Sequence, residues 1–222
     1  MSKGFLAIIA AIIIIFGGLI AFGGSKDNKS SSGGKGGNSS KLSQHIQGSS
    51  SSGVTLVEYG DFQCPYCEQY EPTVHAVYEQ YKDRIRFQFR NYPLTNLHPN
   101  AFAAARAAES AGLQNKFWEM HDTLYAPSNY AIWKDATDPN PYFEQYAKDL
   151  KLDGTKFKTD FASSTVNDII NADLAEGTKA GVTGTPAFFI DGKKTEIGND
   201  PASFQKVLDK AIAQKASKST KQ

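Results

Sequence analysis

The sequence is poor in the residues that build metal centres and has almost no excess charge of either sign. Its 222 residues include two cysteines and four histidines, and the formal net charge is +1. A closed zinc site needs four ligands, but no two histidines have zinc-finger spacing: His45, His75, His98 and His121. We therefore expect no bound metal. The near-neutral balance also gives no basis for nucleic-acid binding, which depends on an excess of Lys and Arg.

A long hydrophobic run occurs at the start of the sequence. Residues 4–24 are uncharged and rich in isoleucine. A membrane-spanning helix needs about 20 apolar residues, whereas the apolar part of a signal peptide usually has about 7–15. We therefore interpret residues 1–24 as a single-pass anchor in the cell membrane, with the rest of the chain extracytoplasmic. The alternative is a signal peptide cleaved near Ala21-Phe22-Gly23, which would leave a secreted or periplasmic protein.

The composition divides the remaining chain into three parts. Residues 25–53 are mostly Ser, Gly, Lys, Asn and Gln, a composition that buries too little surface to fold, so we predict a flexible linker. Residues 54–216 have a globular composition and are numerous enough for one domain with a real core. We expect residues 217–222 to form a disordered tail.

Hydrophobic periodicity gives the order of elements within the globular part. Strand patterns lie at 54–59, 85–90, 186–190 and 193–197, and helical patterns lie at 64–82, over most of 99–179, and at 201–213. The order is therefore βαβ, then a helical block, then ββα. This order predicts an α/β fold with an all-helical insertion.

The two cysteines stand three positions apart, as Cys64-Pro65-Tyr66-Cys67. They could be half of a zinc site, a structural staple or a redox pair. Zinc lacks the other ligands, and closing so small a ring would restrain the unfolded chain very little. At a helix N-terminus the unpaired amides and the helix dipole stabilise a thiolate. This favours a redox pair, with Cys64 as the exposed nucleophile and Cys67 as the shielded resolving thiol.

The residues around this pair resemble the DsbA-like branch of the thioredoxin superfamily. Glu58 lies six residues before the first cysteine, where that superfamily has a buried carboxylate, and Pro72 lies eight residues after it, where its helix has a proline. Thr185-Pro186 is similar to its cis-proline motif. The resemblance implies a thioredoxin fold formed by residues 54–95 and 182–216, with a helical insertion at 96–181.

The resemblance also implies a role for each matching residue. Cys64 and Cys67 would form a redox-active disulfide with no other cofactor, and Glu58 would take up and return the proton of Cys67. Thr185 and cis-Pro186 would offer backbone groups to an incoming substrate strand. The remaining candidates, which would form an apolar docking surface beside the thiols, are Phe62, Pro65 and Tyr66.

The resemblance implies an oxidase that introduces disulfides into reduced, unfolded, cysteine-containing secreted proteins. It also implies a membrane partner that reoxidises the protein. Because residues 25–53 are too short and too polar to form a dimerisation domain, we expect a monomer. Tyr66 replaces the histidine found in the strong oxidant of this branch, so a reductase or isomerase on the same fold stays open. A third alternative is a binding module with a vestigial dithiol.

Overall fold

A computed structural model of the protein describes residues 41–220, in which five strands form one mixed sheet. The order across the sheet is β1-β3-β2-β4-β5, with β2 and β3 parallel and the other neighbours antiparallel. The strands are β1 (Ile46–Gln47), β2 (Val54–Gly60), β3 (Ile85–Asn91), β4 (Ala187–Ile190) and β5 (Lys193–Lys194). The predicted α/β class with a thioredoxin-like βαβ…ββα arrangement is confirmed.

Eight helices occur in the same part of the chain. They are α1 (Pro65–Tyr81), α2 (Ala101–Gly112), α3 (Phe117–Tyr125), α4 (Pro127–Trp133), α5 (Asn140–Asp149), α6 (Gly154–Phe161), α7 (Ser164–Lys179) and α8 (Pro201–Ser219). Helix α1 connects the parallel strands, and α2 to α7 follow one another between β3 and β4. Proline occupies the first turn of α1, α4, α5 and α8, where its missing N–H has no helical partner to lose.

The alternation of side chains along β2 divides the core. Val54 and Leu56 pack with residues of α1 and α8 on one face of the sheet. Tyr59, of opposite parity, packs with residues flanking and within β4 on the other face. Glu58 has the parity of Leu56, so it lies on the face that α1 covers. This parity places a carboxyl group beneath the helix that carries both cysteines.

Residues 41–53 correct the predicted linker of residues 25–53. They are part of the fold, because β1 pairs with β3, Ile46 opposite Gln88 and Gln47 opposite Phe87. Ser43 is buried: its N–H donates to Asp173 (3.1 Å) and its carbonyl accepts from Arg90 (2.8 Å). These polar partners lie far away in sequence, so local composition could not reveal them.

Two further predictions concern the ends of the chain. The predicted anchor at residues 1–24 lies outside the described residues, and within residues 41–220 no helix is both long and apolar enough to cross a membrane. The predicted disordered tail from residue 217 is wrong for its first residues, because α8 continues to Ser219. Ala216 directly before this segment and Lys218 within it are strong helix formers.

The buried Arg90–Asp173 ion pair leads to a stability prediction. The Asp173 side chain is fully buried and lies 3.0 Å from the Arg90 guanidinium. Asp173→Asn leaves the arginine charge buried with Glu176 as a more distant partner, at 3.7 Å. We expect it to lower the free energy of unfolding by about 3 kcal/mol, measured by urea denaturation. Asp209→Asn, in an exposed pair with Arg84, should cost less than about 1 kcal/mol. Similar small losses in both variants would contradict the prediction.

Candidate active site

The two cysteines lie at the start of α1, directly after the loop that follows β2. Cys64 is the N-cap residue, with an extended backbone, and Pro65 is the first helical residue. The Cys64 N–H donates to the Asp61 carbonyl (3.0 Å), and its carbonyl accepts from the Glu68 N–H (3.1 Å). Cys67 follows within the first turn. Both are free thiols in this structure.

Cys64 is not the exposed residue that the sequence predicted. It is 3% exposed and Cys67 is 1% exposed. The burial arises because the Cys64 thiol lies against the chain before β4 and donates to the Thr185 carbonyl at 3.4 Å. A reacting sulfur therefore has to approach beside the Thr185-Pro186 loop.

The two thiols differ sharply in acidity. The pKa of Cys64 is lowered to about 6, mainly because the Cys67 thiol donates a hydrogen bond to the Cys64 sulfur. Burial opposes this shift. Thr185 and the backbone N–H groups of Tyr66 and Cys67 contribute further. Burial raises the pKa of Cys67 well above its ordinary value, and the charge of Cys64 adds to this effect. At neutral pH the pair therefore holds one thiolate, on Cys64.

This difference can be measured by titration of the reduced protein. The ultraviolet absorbance of the thiolate should rise with a midpoint near pH 6. Cys67→Ala removes the main stabilising hydrogen bond, so the midpoint should move up by at least about one unit, toward the ordinary cysteine value near 8.5. An unshifted midpoint in this variant would show that Cys67 does not stabilise the thiolate.

Glu58 lies under the dithiol, in the middle of β2. It is 3% exposed and stands opposite Phe89 on β3 and Phe188 on β4. Among the described residues, its Oε2 atom has no hydrogen-bond partner. Burial, and to a lesser extent the charge on Cys64, raises the pKa of Glu58 to about 8. Glu58 therefore holds a proton at neutral pH. It lies close enough to Cys67 that, when Glu58 is ionised, its charge raises the pKa of the Cys67 thiol.

Glu71 is a half-buried acid near the dithiol that the sequence reasoning missed. It lies four residues after Cys67, on the same side of α1. Burial is the main cause that raises the pKa of Glu71 to about 7, and its neighbours include His121 and Glu58. The spacing from Cys67 is the signal that could have found it.

The described residues also contain one group of three side chains close enough to share a cation. Atoms of Glu71, His121 and Asp122 lie within 4.8 Å of one another. The group falls short of the four ligands of a closed zinc site, and Nδ1 of His121 is already 3.0 Å from Asp122 Oδ1. We assign no metal to it.

The loop before β4 contributes the other wall of the site. The Thr185-Pro186 peptide bond is cis, as the motif predicted. A cavity of about 360 Å³ lies beside this loop, and its lining includes Tyr66, Thr185 and Pro186. The backbone that the sequence reasoning assigned to substrate pairing therefore borders both the reactive sulfur and an open cavity.

The residues predicted to form an apolar docking surface divide into two groups. Tyr66 is 64% exposed and Pro65 is exposed, so both are accessible beside Cys64. Phe62 is wrong for this role, because it is 1% exposed and packs on Phe89 and Tyr125 with ring centroids 5.1 Å apart in each case. Phe62 is a core residue that connects the sheet to the helical insertion.

Asp61 fixes the loop that presents Cys64, and the sequence reasoning also missed it. The residue is 1% exposed; Oδ1 accepts from the Gln63 N–H and Oδ2 from the Leu94 N–H, both at 2.8 Å. His98 Nδ1 lies 2.7 Å from Oδ2, and the Asp61 N–H points to Cys67 Sγ at 3.5 Å. An aspartate that bonds to the N–H two residues on is an Asx turn, which is a signal readable from the sequence.

Known proteins resemble this chain in sequence or in fold. A relative named Na(+)/H(+) antiporter NhaA 1, from Salinispora arenicola, is 40% identical over 150 residues, which is 68% of this chain and 22% of that protein. The chain spans about a quarter of the length of the curated relatives it matches. Two solved structures share the fold, each with a TM-score of 0.65. BdbD from Bacillus subtilis is 20% identical and covers 77% of this chain and 93% of its own. Wolbachia pipientis alpha-DsbA1 is 19% identical and covers 80% and 96%.

The family itself is shown by a match over most of the chain. The family model described as thioredoxin matches residues 40–210, which contain both cysteines, Glu58 and the cis-proline. With its thioredoxin-like sheet and a dithiol at the start of α1, the chain belongs to the thioredoxin family.

Proposed function

We propose that the protein is a thiol–disulfide oxidoreductase whose reactive sulfur is Cys64. The observation that carries this proposal is the asymmetry of the dithiol: the pKa of Cys64 is lowered to about 6, while that of Cys67 is raised well above its ordinary value. A low pKa makes Cys64 both the nucleophile and the better leaving group. The fold shared with DsbA-type proteins supports the same proposed function.

Oxidation of a substrate proceeds in two exchanges. A substrate thiolate attacks Cys64 of the Cys64–Cys67 disulfide, and the Cys67 sulfur leaves with the bonding electron pair. Glu58 protonates that buried thiolate and later regains a proton from solvent. The second substrate thiolate then attacks the substrate sulfur of the mixed disulfide, and Cys64 leaves as a thiolate. The substrate loses two electrons and the dithiol gains them.

We propose oxidation as the direction of this exchange. A cysteine pKa of about 6 lies between those of DsbA, about 3.5, and thioredoxin, about 7. Stabilising the thiolate favours the reduced protein and so makes the disulfide more oxidising. We therefore expect a weaker oxidant than DsbA. The alternative direction is reduction or isomerisation on the same fold.

We also propose that the domain acts outside the cytoplasm, as a monomer held to the cell membrane by residues 1–24. The uncharged run at residues 4–24 supports the anchor, and protein disulfides form and persist in oxidising compartments. Relatives named for a Na(+)/H(+) antiporter contain a similar segment in a much longer protein, which supports a membrane setting. The clients would be reduced, unfolded secreted proteins, and a membrane protein would reoxidise the dithiol.

The proposed function is tested by oxidative refolding together with a redox titration. The oxidised protein should restore activity to a reduced substrate that needs disulfides, with one disulfide delivered per molecule in the absence of an oxidant. The reduction potential should lie between about −120 mV, as in DsbA, and about −270 mV, as in thioredoxin. A reduction potential at or below the thioredoxin value would contradict the proposed oxidase activity and favour a reductase.

A further inference from the structure

A second cavity lies next to Cys64, on the side of the helical insertion. Its volume is about 510 Å³, and both chain neighbours of the cysteine, Gln63 and Pro65, line it. Its far wall includes Leu97 and Tyr130, from the chain before α2 and from α4. The lining does not overlap that of the cavity beside Thr185-Pro186. Cys64 therefore has an open space on each side.

Hydrogen bonds between the cysteine loop and the insertion hold this cavity in shape. The Tyr130 hydroxyl donates to the Gln63 carbonyl at 2.7 Å, and the Gln63 side chain accepts from the Asn100 N–H at 2.6 Å. The side-chain amide of Asn100 in turn donates to the Ala136 carbonyl at 2.8 Å. Because these partners are buried or half-buried, the cavity is formed before any substrate arrives.

The surface of the cavity is suited to an uncharged side chain. Leu97 is 72% exposed, which is unusual for a leucine, and Pro65 and Pro99 present further apolar surface. The polar groups at the rim have partners: Lys134 pairs with Asp135, and the His98 ring bonds to Asp61. An apolar side chain that enters the cavity would be buried without breaking either of these contacts.

We propose that this cavity is a subsite for an apolar side chain of the substrate, close in sequence to the cysteine that reacts with Cys64. The inference rests on the proposed function, because the occupant is placed by the mixed disulfide. The part of the substrate that pairs with Thr185 lies on one side of Cys64. The substrate residues on the other side of the reacting substrate cysteine then pass over Pro65 and reach the cavity. Along a strand, residues two apart face the same side at about 7 Å. Unfolded chains expose such side chains, and folded ones bury them.

The test compares two dithiol peptides that differ in one residue, Leu or Asn, two positions from the attacking cysteine. For the wild-type protein, kcat/KM should favour the Leu peptide by about tenfold, which corresponds to about 1.4 kcal/mol. Leu97→Asp should reduce this ratio to near one. Leu113→Asp makes the same change at an exposed leucine of the insertion outside the cavity, and it should keep the wild-type ratio.

The ratio is taken within each variant, so a general loss of activity does not affect it. A wild-type ratio near one, or a tenfold ratio that persists in Leu97→Asp, would overturn the subsite. A Leu97→Asp protein that keeps the ratio but changes its oligomeric state on size exclusion would instead make the cavity a contact between copies. A wild-type protein that oxidises neither peptide would overturn the proposed function, and the subsite with it.

Discussion

Replacing Cys64 with alanine should reduce thiol–disulfide exchange to the rate of the uncatalysed reaction. The reason is that Cys64 carries the thiolate at neutral pH, whereas the pKa of Cys67 is too high for it to replace that nucleophile. Oxidative refolding of a reduced substrate measures the loss.

Cys67→Ala is the matched variant, since it removes the other sulfur from the same turn of α1. Given a peptide that contains a disulfide, its Cys64 thiolate should attack one sulfur and release the other as a thiol, which forms a mixed disulfide. Because no Cys67 thiol is present to resolve this adduct, it should accumulate and be visible by mass spectrometry. Both residues are almost completely buried, so unfolding curves of the two variants separate folding from chemistry. A Cys64→Ala protein that keeps its activity would indicate a binding module with a vestigial dithiol.

Glu58→Gln should affect both catalysis and the pH dependence of stability. Without a group that exchanges protons with Cys67, the steps in which Cys67 attacks or leaves should slow by about tenfold or more. Stopped-flow measurements of the resolving step would detect this change. The attack of the Cys64 thiolate of the reduced protein on a small disulfide is the internal comparison, because Cys67 neither attacks nor leaves in that step.

The stability effect has a definite sign. Because burial raises the folded-state pKa of Glu58 from 4.5 to about 8, the native state holds a proton that the unfolded chain has released. Its contribution is fully present below pH 4.5 and is lost as the pH rises through about 8. The reduced Glu58→Gln protein should therefore be more stable than the wild type above pH 8, by a few kcal/mol.

Urea unfolding of the reduced proteins at several pH values between 5 and 9 measures this difference. Glu144→Gln, in an exposed pair with Lys158, is the control and should follow the wild type throughout. If Glu58→Gln and wild type lose stability in parallel between pH 5 and pH 9, then Glu58 is ionised in the folded protein and cannot supply the proton to Cys67.

The sequence was sufficient for those features that depend on local pattern or on a motif. The apolar, β-branched run at 54–59, the alternation at 85–90, the helical block and the return of strand character at residue 186 predicted the fold. The Cys-x-x-Cys spacing and Thr185-Pro186 predicted which segments meet. Each of these signals is carried by neighbouring residues, because strand and helix periods and motif spacings are short-range properties.

The features that the sequence missed depend on contacts between distant residues. Ser43 is ordered because Arg90 and Asp173 complete its backbone hydrogen bonds. Phe62 was expected at the surface because it flanks the thiols, but the Asp61 turn directs it into the core. Cys64 was expected to be exposed at a helix start, but the chain before β4 covers it. Helix and loop patterns predict neither which side chains cover a site nor which polar groups meet inside it.

The two outer strands of the sheet have a consequence for handling unfolded chains. A long open edge would offer such chains a template for uncontrolled strand pairing and aggregation. Here one outer strand, β1, has two residues, and the other, β5, is a pair of exposed lysines. Short strands and lysines both discourage pairing. If the proposed clients are unfolded chains, strand pairing at either outer strand is thereby disfavoured, while the Thr185 segment beside Cys64 borders an open cavity. Under the proposed function, this arrangement would let a client bind where it reacts without aggregating along the edges of the sheet.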